Sequence, residues 1–232
     1  MKKNYEMDMC SGPILGKLLT FTIPLIFSGI LQLLFNAADV IVVGRFAGSQ
    51  SLAAVGSTTA LINLMINIFI GLSVGVNVIV ARYYGAKREK DVQDTIHTAM
   101  ALSIVSGLFL IIVGQLLSRP MLELMGTPDD VIDKSTIYMR IIFIGMPANM
   151  IYNFGSAILR AVGDTKRPLY FLTAAGVINV VLNLFFVIMF QMDVAGVALA
   201  TAISQAISAC LVILCLMESE GGLKLHLKDL KI

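Results

Sequence analysis

One acidic side chain lies inside a long apolar segment, where little water is available to solvate it. Asp39 is the only Asp or Glu within six such segments, and it follows Ser28, Gln32 and Asn36 at helical spacing. Residues three or four apart share one helix face, so these four groups point the same way. A buried charge in a bilayer costs about 2.5–3.5 kcal/mol on insertion scales and typically marks an ion or proton site. The pattern predicts a cation or proton site; the alternative is that Asp39, four residues before Val43, reaches the outer interface.

Amide and hydroxyl side chains recur at one-turn spacing in the other apolar segments. Each one, taken alone, is more often a structural hydrogen-bonding residue than a ligand. Together they give most segments a polar face opposite a lipid-compatible one, which favours a shared hydrated interior. The residues concerned are Thr59, Asn63, Asn67, Asn149, Asn153, Ser156, Asn179, Asn183, Thr201, Ser204, Gln205 and Ser208.

The chain shows no constellation that would support enzymatic chemistry. It contains no Gly-rich phosphate loop, no Ser/His/Asp set and no paired carboxylates inside the apolar segments. Its three cysteines, Cys10, Cys210 and Cys215, lack metal-binding spacing, and we expect no disulfide framework. We expect His97 and His226 to be solvated, and Gly163-Asp164 to be a simple loop break. We therefore predict no enzyme, no cofactor and no nucleic-acid partner.

The composition places these groups in a membrane protein. Apolar residues make up 57% of the 232-residue chain and charged residues only 14%, whereas soluble domains carry about 25% charge. A bilayer needs roughly 20 apolar helical residues per crossing. An all-α integral membrane protein of six transmembrane helices is therefore predicted, within a lobe covering 1–217, at 18–43, 52–81, 95–117, 137–159, 168–190 and 194–217.

The basic residues predict the orientation of these helices. With the N-terminus in the cytoplasm, all but four of the 17 Lys and Arg fall on the cytoplasmic side, the outer four being Arg45, Arg119, Lys134 and Arg140. We expect a multi-pass protein of the cytoplasmic membrane with both termini cytoplasmic. The first apolar segment is too long for a signal peptide. Residues 218–232 are predicted to form a cytoplasmic linker or tail.

Four stretches along the chain resemble the multidrug and toxic compound extrusion (MATE) family. They are IPLIFSGILQLLFNAADVIVVGRFAGSQSLAAVG, VARYYGAKREKDV, GTPDDVIDKSTIYMRIIFIGMPANMIYNFGSAILRAVGDTKRPL and GVALATAISQ. They occur in order along nearly the whole chain. The resemblance implies twelve helices in two six-helix lobes, of which this chain is similar to the amino-terminal one and ends in the interlobe linker. A carboxy-terminal lobe or a second copy is then the expected partner.

The resemblance also implies a function and a site. It implies export of organic, often cationic, compounds in exchange for Na⁺ or H⁺. The family's cation site corresponds here to Asp39, Asn179, Asn183 and Thr201, and many relatives have Asp where this chain has Asn183. We expect Na⁺ at Asp39 as the only metal ion, and Pro24 as a hinge. The predicted substrate cavity is lined by Gln32, Asn36, Asn67, Tyr152 and Asn153.

Two other functions are weighed against this one. A lipid-linked oligosaccharide flippase of related architecture would need a cationic cavity for pyrophosphate, and no Arg or Lys lies deep in the segments. A non-transporting membrane assembly protein would have little use for the repeated polar faces.

Overall fold

The computed structural model describes residues 14–219, 221–226, 228 and 230, a part of the chain that is helical and contains no strand. Two five-residue π-helical turns, Val43–Ala47 and Phe185–Met189, directly follow the first and sixth helices. A short 3₁₀ turn, Gly221–Leu223, follows the last. The α-helices are α1 Ile14–Val42, α2 Ser49–Gly85, α3 Glu89–Leu124, α4 Asp129–Ile144, α5 Met146–Ala161, α6 Lys166–Leu184 and α7 Asp193–Glu218.

The helices give six crossings of a bilayer. Within the described ranges, five are long and apolar enough to span alone: α1, α2, α3, α6 and α7. Helices α4 and α5 form the sixth crossing together and are bent by 48° between them. The predicted all-α bundle of six membrane helices is confirmed. Its fourth segment, predicted as 137–159, contains the bend.

The bend between α4 and α5 has a local cause at Gly145 and Pro147. The Gly145 N–H closes the last turn of α4 on the carbonyls of Ile141 and Ile142, at 3.4 and 3.0 Å. Pro147 occupies the first turn of α5, where a helix does not need the missing N–H. Gly107 of α3 packs against it, since a Cβ at Gly107 would lie 2.3 Å from the Pro147 Cα. The bend is therefore part of the α3–α5 contact.

Pro24 does not interrupt α1, which is helical from Ile14 to Val42. The ring is buried, and the Ser28 hydroxyl donates to the Pro24 carbonyl at 2.9 Å. Neighbouring hydroxyls of this kind accommodate proline in membrane helices. The hinge role of Pro24 stays a prediction.

The bundle has a tight centre and one loosely attached helix. Helices α3, α5 and α7 pack closely, with α2 and α4 against them. Helix α1 lies at the edge and packs chiefly on α6. Its other faces expose large apolar side chains of the kind that lipid or a partner protein would cover. Fully buried large side chains of the centre are Phe143, Phe154, Ile96, Leu110, Leu122, Met139, Met146, Met150, Ile158, Leu159 and Leu216.

The segment after α7 folds back on the bundle. Leu223 and Leu225 are buried, and the Leu225 N–H bonds to the Leu216 carbonyl at 3.0 Å. The His226 backbone N–H donates to Nε2 of His97, which is only 5% exposed. The prediction that His97 is solvated is therefore wrong, because the tail covers the start of α3. His226 itself is exposed.

Candidate cation site

The site is built on one stripe of α6. Asn179 and Asn183 are four residues apart, so both amides leave the same helix face. That face lies between α1 and α7, both of which pack on α6. Asp39 enters from α1 and Thr201 from α7. Both Asp39 and Asn183 lie just before the π-helical turns, and these two turns contact each other. Such turns are frequent at functional sites.

A directed line of hydrogen bonds joins the four predicted ligands. The Asn183 side-chain amide donates to the Asp39 carboxylate and also to Oδ1 of Asn179, the latter at 3.1 Å. The Asn179 amide in turn donates to Oγ1 of Thr201 at 3.2 Å. The Thr201 hydroxyl donates to the Val197 carbonyl at 3.0 Å. The structure therefore brings these four side chains into one connected group.

This group is largely buried and has no balancing cation among the described residues. Asn183 is fully buried, Asn179 is 5% exposed, and Asp39 is half-buried. No ion pair formed by the described residues includes Asp39. The Oδ1 atom of Asn183 is buried without a hydrogen-bond partner. A buried polar atom left unpaired destabilises the protein by about 1–3 kcal/mol, so an orphan oxygen beside a carboxylate calls for an explanation.

Sequence reasoning missed Tyr138, in α4. This side chain is 8% exposed, and its phenol is within electrostatic range of the Asp39 carboxylate. The sequence offered one indication of Tyr138. In the predicted topology it lies at the outer end of the fourth segment, at the same level as Asp39. That signal was weak, because tyrosine is common at membrane interfaces for reasons of solvation alone.

The predicted cavity residues do not form a single cluster within the described lobe. Gln32 and Asn36 are exposed on α1, and Asn67 is exposed on α2. Tyr152 is half-buried and donates its hydroxyl to the Pro168 carbonyl at 3.2 Å. The half-buried Asn153 bonds to the carbonyl and side-chain oxygens of Asn149, each at 2.9 Å. Their role in substrate binding stays a prediction.

The polar line joins α1, α6 and α7, as polar groups inside a membrane transporter would. Comparison with known proteins tests whether the chain is one. The sequence profile of the MatE family matches residues 24–185, well over half of the chain. The chain belongs to the MATE family. Family membership places it among multi-pass membrane transporters, as the resemblance implied.

Individual relatives give the extent of the match. The probable multidrug resistance protein YoeA of Bacillus subtilis is 35% identical over 79% of this chain and 41% of its own length. The FAD transporter of Shewanella oneidensis is 27% identical over 88% of this chain and 46% of its own. A crystal structure of MATE in the bent conformation superposes with a TM-score of 0.86 at 25% identity, covering 93% of this chain and 48% of that one. The chain thus spans about half the length of its MATE relatives.

Proposed function

We propose that the chain is one lobe of a cation-coupled antiporter that exports organic, cationic compounds across the cytoplasmic membrane. Asp39 binds the coupling ion, Na⁺ or H⁺, and Asn179, Asn183 and Thr201 supply neutral oxygens around it. No cofactor is needed. The observation that carries the proposal is a half-buried carboxylate with no cationic partner among the described residues, hydrogen-bonded to an Asn183 amide whose own Oδ1 is buried and unpaired.

The donor set fits a small hard cation. Carboxylate, amide and hydroxyl oxygens are the ligands that such ions prefer. The Asn183 amide already donates to Asp39, and its own oxygen is buried and unpaired. An ion there would satisfy the orphan oxygen and neutralise the acid at once. A proton on Asp39 would neutralise the acid but would not satisfy the Asn183 oxygen. Na⁺ would therefore have the larger structural effect.

The position of α1 provides a route from ion binding to transport. Helix α1 packs chiefly on α6, and the Asp39–Asn183 hydrogen bond joins the two helices near the π-helical turns. Ion binding would change that contact and repack α1, with Pro24 as the predicted hinge. An ion and a drug that favour different packings of α1 expel one another through a coupling free energy. The two lobes would then rock about the central cavity.

Exposed polar groups support a partner lobe. Gln32, Asn36 and Asn67 lie exposed on helices whose other exposed side chains are largely apolar. Polar groups within membrane helices nearly always face protein or a water-filled cavity. A second six-helix lobe, or a second copy of the chain, would enclose them as a substrate cavity. The single acid and the lack of deep basic residues favour organic cations as substrates. The bias of Lys and Arg favours cytoplasmic termini.

Ion binding to the purified chain in lipid nanodiscs tests the site. Calorimetric titration with NaCl, at two pH values, is compared for the wild type, Asp39→Asn and the control Asp130→Asn, which alters an exposed acid of α4. Na⁺ coupling predicts binding heat that Asp39→Asn abolishes and Asp130→Asn retains. Proton coupling predicts one fewer proton taken up by Asp39→Asn on acidification. Identical ion and proton binding in all three proteins would remove Asp39 from the mechanism.

The partner requirement is tested by reconstitution. The chain is placed in liposomes with an outward Na⁺ or proton gradient and a fluorescent organic cation, and its mass is measured in detergent. We expect transport only where two copies associate or a second lobe is co-reconstituted. Full transport by a monomer would contradict the half-cavity interpretation.

A further inference from the structure

The α1–α6 interface contains one contact so close that only glycine fits on the α6 side. Gly176 of α6 is buried beneath the ring of Phe35 from α1. A Cβ built on Gly176 would lie 1.9 Å from Cε2, 2.1 Å from Cζ and 2.3 Å from Cδ2 of that ring. Real Cβ atoms do not approach neighbours this closely, so any other residue would displace Phe35. The ring and the glycine therefore fit as knob and hole.

This contact lies on the same line as the cation site. Phe35 precedes Asp39 by four residues, one helical turn, so both side chains leave the same face of α1. Gly176 precedes Asn179 by three residues and Asn183 by seven, which puts all three on one stripe of α6. At 1.5 Å per residue, the ring contact is about 6 Å along α1 from the carboxylate.

We infer that Gly176 is a positioning residue that seats Phe35 and so sets the distance at which Asp39 meets Asn183. Its effect on ion affinity rests on the proposed function, whereas its effect on the Asp39–Asn183 hydrogen bond does not. Since α1 has few other neighbours, a shift at Phe35 is transmitted to Asp39 and is not absorbed by a surrounding core. Glycine at 176 is thus a requirement of the site's geometry.

The chain supplies a control that separates positioning from ordinary packing. Gly114 of α3 lies under Phe143 of α4, and a Cβ there would be 2.1 Å from the ring Cγ. Gly114→Ala therefore introduces a clash of the same kind between α3 and α4, outside the α1–α6 interface. Gly71→Ala is the neutral control, because a Cβ at Gly71 has no neighbour within 4 Å. The compensated variant Gly176→Ala/Phe35→Ala removes every ring atom that the new methyl would meet.

The experiment measures three properties of the full chain in nanodiscs. They are the thermal unfolding midpoint, the side-chain amide resonance of Asn183 in protein labelled with ¹⁵N-asparagine, and the dissociation constant for Na⁺ or the proton. The Asn183 signal is assigned by its loss in Asn183→Gln. Phe35→Ala alone is the second probe, because it unseats α1 without adding a group and keeps the test valid if Gly176→Ala folds poorly.

We expect Gly176→Ala and Phe35→Ala to move the Asn183 resonance toward that of a free amide. The ion affinity should weaken about tenfold, the size seen when groups that orient a ligand are lost. The compensated variant also lacks the ring, so both properties should match those of Phe35→Ala, with no further change from the added methyl. Gly114→Ala should lower the unfolding midpoint and leave the Asn183 resonance and the ion affinity unchanged. Gly71→Ala should change none of the three properties.

Two results would overturn the inference. One is an Asn183 resonance that stays in place in Gly176→Ala and Phe35→Ala, whatever happens to stability. The other is an equal displacement of that resonance in Gly114→Ala, which would make the effect general loosening. A third pattern separates the two proposals. If the wild type binds no ion and the Asn183 resonance is still displaced in Gly176→Ala, the proposed function is refuted and the positioning role is retained.

Discussion

Two acids of this lobe are removed from water by the fold, and they differ in how they are satisfied. Asp164, in the turn between α5 and α6, is fully buried. Its Oδ1 accepts the backbone N–H groups of Lys166 and Arg167, each at 3.1 Å, and its Oδ2 pairs with the Arg167 guanidinium. Asp39 is half-buried, receives the Asn183 amide, and has no cationic partner among the described residues.

A third acid is intermediate, because one of its oxygens has a cationic partner and the other has no partner. Asp193, at the start of α7, pairs with Lys134 of α4 at 2.6 Å, while its other oxygen is buried without a partner. Lys134 also donates to Ser51 of α2 at 3.1 Å, so this Asp193–Lys134 cluster joins α2, α4 and α7. Both charged side chains keep about a third of their exposure.

The comparison teaches that burial alone does not mark an ion site. The more deeply buried acid, Asp164, is saturated by permanent partners and stabilises a turn. Asp39 is less buried but has no counter-charge within the part of the chain that the structure describes, so a mobile cation can stabilise it. Asp193 has its counter-charge built in. What distinguishes a candidate coupling site is therefore the missing partner, and each of the following substitutions tests that statement.

The largest effect is expected at Asp164. Asp164→Ala removes the cap of α6 and leaves the Arg167 guanidinium without this partner, so we expect the unfolding free energy to fall by about 3 kcal/mol. Asp164→Asn keeps an acceptor for the backbone and should lose less. Unfolding in mixed micelles, followed by circular dichroism, measures both. If Asp39→Asn proved as destabilising as Asp164→Ala, the contrast between the two acids would disappear.

Asn183→Asp should strengthen the site without rebuilding it. A second carboxylate in hydrogen-bond range of Asp39 raises the local negative charge. Two neighbouring carboxylates bind a proton or a cation more tightly than one does. We expect roughly tenfold tighter Na⁺ or proton binding by calorimetry, a change of about 1.4 kcal/mol. The matched control is Asn153→Asp, which adds an acid in α5 next to Asn149. Equal tightening in both variants would show that total charge, and not position, controls affinity.

The smallest effect is expected at Asp193. Asp193→Asn removes the charge and keeps a residue that tolerates the positive φ of 54° at this position. Partly exposed ion pairs contribute about 0–1 kcal/mol, so the unfolding free energy should fall by less than 1 kcal/mol. Ion binding at Asp39 should be unchanged. A loss comparable to that of Asp164→Ala would mean that the Asp193–Lys134 cluster stabilises the lobe as much as the α5–α6 turn does.

The sequence by itself determined the all-α membrane architecture and singled out Asp39, whereas the full set of candidate ligands was implied by the family resemblance. Apolar runs of sufficient length must become helices in a bilayer, because every backbone group has to be satisfied within its own segment. One-turn spacing placed Asn179 and Asn183 on a single face, and an acid without charged neighbours identified Asp39. These inferences use only local periodicity and solvation, which a single chain displays in full.

Contacts between distant residues were decided only by the tertiary structure. Spacing gave no means of knowing that Asn183 donates to Asp39 while its own oxygen stays unpaired, or that Tyr138 lies near the same carboxylate. It also misread His97, which the tail covers, and it gave no means of knowing that the Asp164 carboxylate is saturated within the turn. The seat of Phe35 on Gly176 is of the same kind. A helical pattern fixes which face a residue occupies, whereas the partner on that face depends on how whole helices pack.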